Sequence, residues 1–345
     1  MKRRLLISGI ALAWALLCTT AGFAQTGPYK VVKTVKAGGA GGFDYVYADS
    51  DGRKLYVARS GAMPRINVFN LDTLEPAGEI PGVNAHGAVV STKTHHGFAT
   101  SKPVTMFDSN TLEVIKTITV DGNPDGILYD PFNDRVWILS HAAPNATLIN
   151  AADGSVAGTI DLGGMPEQAA SDGKGHVYVD IEDKANIAVV DAKTMMVTAH
   201  YDLEGKGATC AGLALDAKNE VLFTTCRNPQ NMVMLNAKDG KILAALPIGA
   251  GTDGATFNPK TMEAFSSHFD GTLTVVKEVN KTSFEVEQNV QTMTTAKTLT
   301  LDAKTGRILL IAAEFGAPTA PAQPGGRAGR GPLVPDSFTI LAVGK

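Results

Sequence analysis

Six side chains able to do chemistry recur at a nearly constant interval: Asp44, His86, Asp125, Glu167, Asp253 and Lys297. Counted with Ala211, they stand 42, 39, 42, 44, 42 and 44 residues apart. Each is the second residue of a similar stretch: FDYVYAD, AHGAVVS, PDGILYD, PEQAASD, CAGLALD, TDGATFN and AKTLTLD. If equivalent positions converge in space, four carboxylates and an imidazole meet. Such a set holds a hard cation, Ca2+ or Mg2+, through Asp44, Asp125, Glu167 and Asp253, or a zinc-like ion if His86 joins. It equally supplies an acid/base pair, because crowded carboxylates push each other's pKa values apart. Lys297 is then an electrostatic partner, and His141 and His268 are further ligand candidates. A plainer reading stays open. Asn123-Pro124-Asp125-Gly126 and Thr252-Asp253-Gly254 are also turn chemistry, in which Asp caps its own backbone and Gly supplies unusual dihedrals.

The elements that carry these residues can be read from one unit. Residues 166–207 contain PEQAASD, HVYVDI, NIAVVDA and MVTAHYDL, four short runs of β-branched and aromatic residues separated by Gly, Asp, Asn and Lys turns. A unit of this kind cannot bury both faces of its sheet alone, so it needs neighbours like itself. A period near forty with four strands per unit predicts β-propeller blades, and seven units are present. The seventh supplies only AKTLTLD, RILLIAA and DSFTILAVGK before the chain ends. Its missing outer strand is matched by YKVVKTVKAGG at 29–39, which leaves no open edge in the ring. The expected fold is therefore all-β: a seven-bladed propeller of four-stranded antiparallel blades, closed by its N-terminal strand.

Length alone suggests two domains, but the repeat makes residues 25–345 one. Residues 1–24 join Lys2, Arg3 and Arg4 to an apolar stretch and a small-residue site before Gln25, the pattern of a secretory signal peptide. Its removal takes Lys+Arg from 31 to 28 against 34 Asp+Glu, a net charge of −6, which argues against a polyanion-binding surface. No later segment is long and apolar enough to span a membrane. The expected location is periplasmic or secreted, and the chain is read as a monomer. Cys210 and Cys226 remain. Pairing Leu215 with Val221 in the hairpin around Ala217–Asn219 sets Cys210 opposite Cys226, so a disulfide is expected in an oxidising compartment.

LYVARSGAMPRINVFNLDTLEPAGEI and HVYVDIEDKANIAVVDAKTMMV resemble the YVTN repeats of YncE-like seven-bladed propellers, over nearly the whole mature chain. The resemblance implies that the starts of the first strands share one face with the loops between second and third strands. That face receives the seven aligned positions together with Arg59, Lys102, His141, Glu182, Arg227, His268 and Glu314. His95, His96 and His176 fall on the opposite face, and His200 lies on an outer strand. Gly316–Pro335, rich in Pro, Gly and Ala, is read as a loop inserted in blade seven, with Arg327 and Arg330 able to meet an anion. The leading functional expectation is a non-catalytic scaffold for an unknown protein or small polar ligand. The alternative is a metal-dependent hydrolase or lyase at the channel mouth, by analogy of fold with propeller lactonases. Single-stranded DNA binding, an activity associated with some YncE-like proteins, comes third. It needs aromatics on a basic groove, whereas the one mature tryptophan, Trp137, lies in the apolar run RVWILS.

Overall fold

A computed structural model describes residues 27–317 and 331–345. The signal-peptide reading at 1–24, and Arg327 and Arg330 of the insertion, lie outside the described residues. The chain forms seven four-stranded antiparallel sheets. Blade one runs Gly42–Asp49, Lys54–Ser60, Arg65–Asn70 and Pro76–Pro81, from the inside outward. The inner strands of blades two to six are Ala88–Val90, Pro124–Asp130, Pro166–Ser171, Cys210–Asp216 and Thr252–Asn258. Blade seven has Thr298–Asp302, Arg307–Ala312 and Thr339–Gly344, and its outer strand is Lys30–Lys36 from the other end of the chain. The expected closure is present, and the fold is a seven-bladed β-propeller.

Burial explains the patterning. In blade four the middle strands HVYVDI and NIAVVD are almost continuously buried, because neighbouring blades cover both of their faces. The outer strand MVTAHYD alternates, with every second residue in solvent. Apolar side chains therefore gather between blades. Trp137, Leu139 and Leu148 of blade three, for example, pack on Val177, Val179 and Val190 of blade four. In blades one, two and four the third strand ends in an Asn or Asp whose side-chain oxygen takes two backbone N–H groups of the following turn. Asn70 bonds Asp72 and Thr73, Asp108 bonds Asn110 and Thr111, and Asp191 bonds Lys193 and Thr194. This is the physical content of the NLDT, DSNT and DAKT segments.

Cys210 and Cys226 are bonded to each other, as expected. The register behind that expectation is corrected. Leu215 pairs with Leu222 rather than Val221, and a bulge between Cys210 and Gly212 restores the cysteine pairing.

Polar side chains also tie blades together. Glu278 of blade six is buried, its carboxylate accepts from Asn219 of blade five at 2.7 Å, and the Asp216 carboxyl of blade five lies within hydrogen-bonding reach of it. Burial, with the nearby Asp216 carboxylate, pushes Glu278 up to about 7. The folded protein then holds this proton more tightly than the unfolded chain does. The contribution to stability is complete below the ordinary glutamate range and drains away as pH rises through about 7. Glu278→Gln is expected to flatten the fall in unfolding free energy across that window, a difference on the order of 2 kcal/mol between the two proteins. Denaturant titrations at several pH values check it, and parallel pH profiles would contradict it.

Candidate functional site

The seven inner strands stand side by side around a central channel, each in contact with the next. At the aligned positions the chain places glycine just after His86, Asp125, Ala211 and Asp253. A Cβ on Gly126 would stand 2.3 Å from the Glu167 carbonyl oxygen, and one on Gly212 would stand 2.7 Å from the Gly254 carbonyl carbon. Neither Gly126 nor Gly254 has a positive φ. These glycines serve close approach of backbones. The turn-chemistry reading of the Asp-Gly pairs is thus corrected.

Freed from their own turns, the acidic side chains reach sideways to neighbouring blades. Glu182 meets Arg227 at 2.5 Å, and Arg227 also donates to Asp253. Asp253 binds Lys297, whose ammonium stands 3.3 Å from Asp44 Oδ1. Asp44 Oδ2 is 2.8 Å from His86 Nδ1, which is 3.4 Å from Asp125 Oδ1. Asp125 Oδ2 is 3.5 Å from His141 Nε2, which is 2.8 Å from Glu167 Oε2. All seven blades contribute to this girdle, which begins and ends in blade four. Acids and bases alternate along it throughout.

Below the girdle lies a cavity of about 170 Å³ lined by Tyr45, Tyr47, Ile127, Gln168, Leu299 and Thr300. Tyr45 of blade one crosses toward blade four, where its hydroxyl donates to Glu167 Oε1 at 3.3 Å. Gln168 Oε1 accepts from the backbone of Leu213 and Ala255, joining blades five and six to blade four.

The electrostatics follow from this order. Burial works to raise Asp44, but the bonds and charges of His86 and Lys297 outweigh it and hold its carboxyl below the usual range. His86 is raised by its bond to Asp44, against burial. His141 is raised to about 9 by its bond to Glu167, again against burial, with the charges of Glu167, Asp125 and Glu182 adding to the effect. Asp125 goes the other way. Burial, together with the charges of Glu167 and Asp44, pushes it up to about 6 although both imidazoles pull it down. Tyr45 is held well above its ordinary range by burial first and by the same carboxylates second.

The structure brings Asp44, His86, Asp125, His141, Glu167, Asp253 and Lys297 together. It divides them, however. Asp44, His86 and Asp125 form one group of candidate metal ligands, and Asp125, His141 and Glu167 form another. Asp253, expected among the cation ligands, is instead engaged by Arg227 and Lys297. That expectation is corrected: two cations already occupy its oxygens. His268 is corrected as well. It is fully buried, with Nδ1 donating to the Thr272 carbonyl at 2.9 Å and Nε2 accepting from Ser266 at 2.9 Å. Burial holds it down to about 4, so it is a neutral structural residue.

Arg227 and Glu182 were placed on this face by their loops but not counted as site residues. The signal that identifies Arg227 is the gap at Ala211: blade five offers no polar group at the aligned position, and Arg227 of the same blade fills it. Arg59 lies outside the girdle. It is buried beneath the GGAGG stretch, where its guanidinium donates to the carbonyls of Gly38 to Gly42 and stands 3.9 Å from the Phe338 ring. Around the described ends of the insertion, Gly316 donates to Pro332 and Val334 to Glu314, which closes its base as a short ladder.

No protein-family model matches the chain, and no curated protein matches it. Solved structures do. The crystal structure of the RRP9 WD40 repeats superposes with a TM-score of 0.71 at 10% identity, over 93% of this chain and 100% of that one. A chain in the crystal structure of the mitotic checkpoint complex superposes with a TM-score of 0.70 at 11% identity, over 90% of this chain and 96% of that one. At such identities the likeness shows the fold alone: this chain is similar to WD40-type propellers in architecture, and its girdle has to be read from its own residues.

Proposed function

We propose that this protein is a non-catalytic binding propeller, YncE-like in its repeats, that captures a positively charged ligand at the girdled mouth of its channel. One observation carries the reading. Five carboxylates, Asp44, Asp125, Glu167, Glu182 and Asp253, face only two permanent cations, Arg227 and Lys297. His141, raised to about 9, adds a third cation near neutral pH, and two negative charges are left over when His86 is neutral. They sit at the rim of a narrow channel, where low-dielectric walls focus the field. The bonded cysteines suit an oxidising compartment, and with the N-terminal basic-apolar segment they support a secreted or periplasmic setting. Among the described residues no helix is long and apolar enough to cross a membrane.

Spermidine at about a hundred times its dissociation constant is expected to stabilise the protein by ~2.7 kcal/mol. The effect should fade with added salt and be lost in Asp44→Asn/Glu167→Gln. Thermal unfolding with spermidine, and with citrate as the anionic control, measures it. Equal stabilisation by citrate, or a spermidine effect unchanged in the double variant, would overturn the reading.

A second reading, metal-dependent hydrolysis of a lactone-like substrate, is favoured by the Asp125 carboxyl, pushed up to about 6 beside an imidazole in the manner of an acid/base group. A lactone and ester screen of the metal-loaded protein separates the two.

A further inference from the structure

We propose that the channel mouth holds a pair of divalent transition-metal ions bridged by Asp125, one completed by Asp44 and His86 and the other by His141 and Glu167. This rests on the reading of the mouth as a cation site and names its occupant. Each group offers one imidazole nitrogen and two carboxylate oxygens, all within 4.8 Å of one another. With metal–ligand bonds of about 2.0–2.2 Å, three such atoms need only small side-chain movements to close on one ion.

The two groups are not independent. Asp125 presents Oδ1 toward His86 and Oδ2 toward His141, so each of its oxygens belongs to a different group. That is the disposition of a bridging carboxylate, which suits ions about 3.5–4 Å apart.

The terminal ligands differ from Asp125 in a telling way. Asp44 directs one oxygen at His86, and Lys297 stands 3.3 Å from the other. Glu167 directs one oxygen at His141, and the Tyr45 hydroxyl holds the other. Each is thereby fixed with a single oxygen facing inward by a donor from another blade, as outer-sphere groups orient metal ligands. Among the described residues, the ion-pair partners of Asp125 are the two imidazoles alone.

Mixed imidazole and carboxylate donors select zinc-like ions, Zn2+, Co2+ or Mn2+, over Ca2+ and Mg2+. Binding forms a metal–nitrogen bond at His86 and another at His141, and any proton held on those nitrogens is released to solvent. Three protein ligands per ion leave positions open toward the mouth, where the His86 side chain is 53% exposed. Two dipositive ions would also more than offset the three negative charges that the girdle carries once both imidazoles have lost their protons to the metal.

The test is a Co2+ titration of untagged, chelator-stripped protein, followed by visible absorption and electron paramagnetic resonance. Wild type is expected to take two equivalents, with the resonance signal of the first diminished by the second through the shared carboxylate. His86→Ala and His141→Ala should each keep one equivalent, and Asp125→Ala should bind at least ~10-fold more weakly at both positions. Thermal unfolding of each variant confirms that it is folded. A single equivalent in wild type that survives in both histidine variants, or no Co2+ retained, overturns the proposal. If Co2+ fails while spermidine still stabilises the protein, the paired-metal inference falls and the cation-binding function stands. If both fail, both fall.

Discussion

Deleting residues 27–36 is expected to open the ring, at a cost of at least ~5 kcal/mol. The segment is short, but it is the outer strand of blade seven, paired from Lys30 with Gly344 to Lys36 with Thr339. Tyr29 just ahead of it is buried and packs edge-on against Phe265 at 5.3 Å between ring centres. The Tyr29 backbone exchanges two hydrogen bonds with Gln288, and its hydroxyl donates to Glu263 of blade six. Glu263 is fully buried and also accepts from Lys345 at 2.9 Å, so both ends of the chain are fastened to one carboxylate. Without the strand, Thr339–Gly344 becomes an unpaired edge and a template for association. Circular dichroism melts and light scattering read the result. A soluble variant that unfolds cooperatively within ~1 kcal/mol of wild type would show that closure is not what holds the propeller together.

Removing the disulfide is the second large effect. The bond closes a sequence separation of 16 residues, and a loop of that size restricts the unfolded chain by ~3 kcal/mol. Both cysteines are buried in the interface between blades four and five, with Leu213, Leu222 and Val233. Cys210→Ala/Cys226→Ala therefore also loses some packing, which adds to the cost. The loss extends to the girdle, because Arg227 follows Cys226 at the end of the same strand and holds both Glu182 and Asp253. Urea titrations of the oxidised wild type, the reduced wild type and the double variant give the comparison. Reduction should lower the unfolding free energy and substitution should lower it somewhat further, and identical curves for all three would contradict the account.

How far the molecule could be read from its residues depended on the range of the interaction. The propeller was legible because strand patterning is local and repeats seven times, and closure followed from one blade lacking a strand while one strand lacked a blade. The cysteine pairing was correct despite a one-residue error at Leu215, since a bulge, which alternation does not reveal, restored it. Six aligned positions marked the girdle, yet their alignment could not say which neighbour each side chain would choose. Asp253 turned to Arg227 and Lys297, whereas Asp125 turned to two histidines. His268 follows Phe265-Ser266-Ser267 in a strand buried throughout, and nothing in its type distinguishes a core imidazole from a ligand. Gly126 and Gly254 were misread for the same reason: their nearest neighbours are other blades, remote in the chain.

The most direct test of the central claim is an anomalous diffraction map from crystals of the untagged protein soaked in Co2+. The account predicts two peaks at the channel mouth, flanking Asp125 and about 3.5–4 Å apart, one beside Asp44 and His86 and the other beside His141 and Glu167. A map with no peak at the mouth, or with its signal on Asp253 instead, would contradict it.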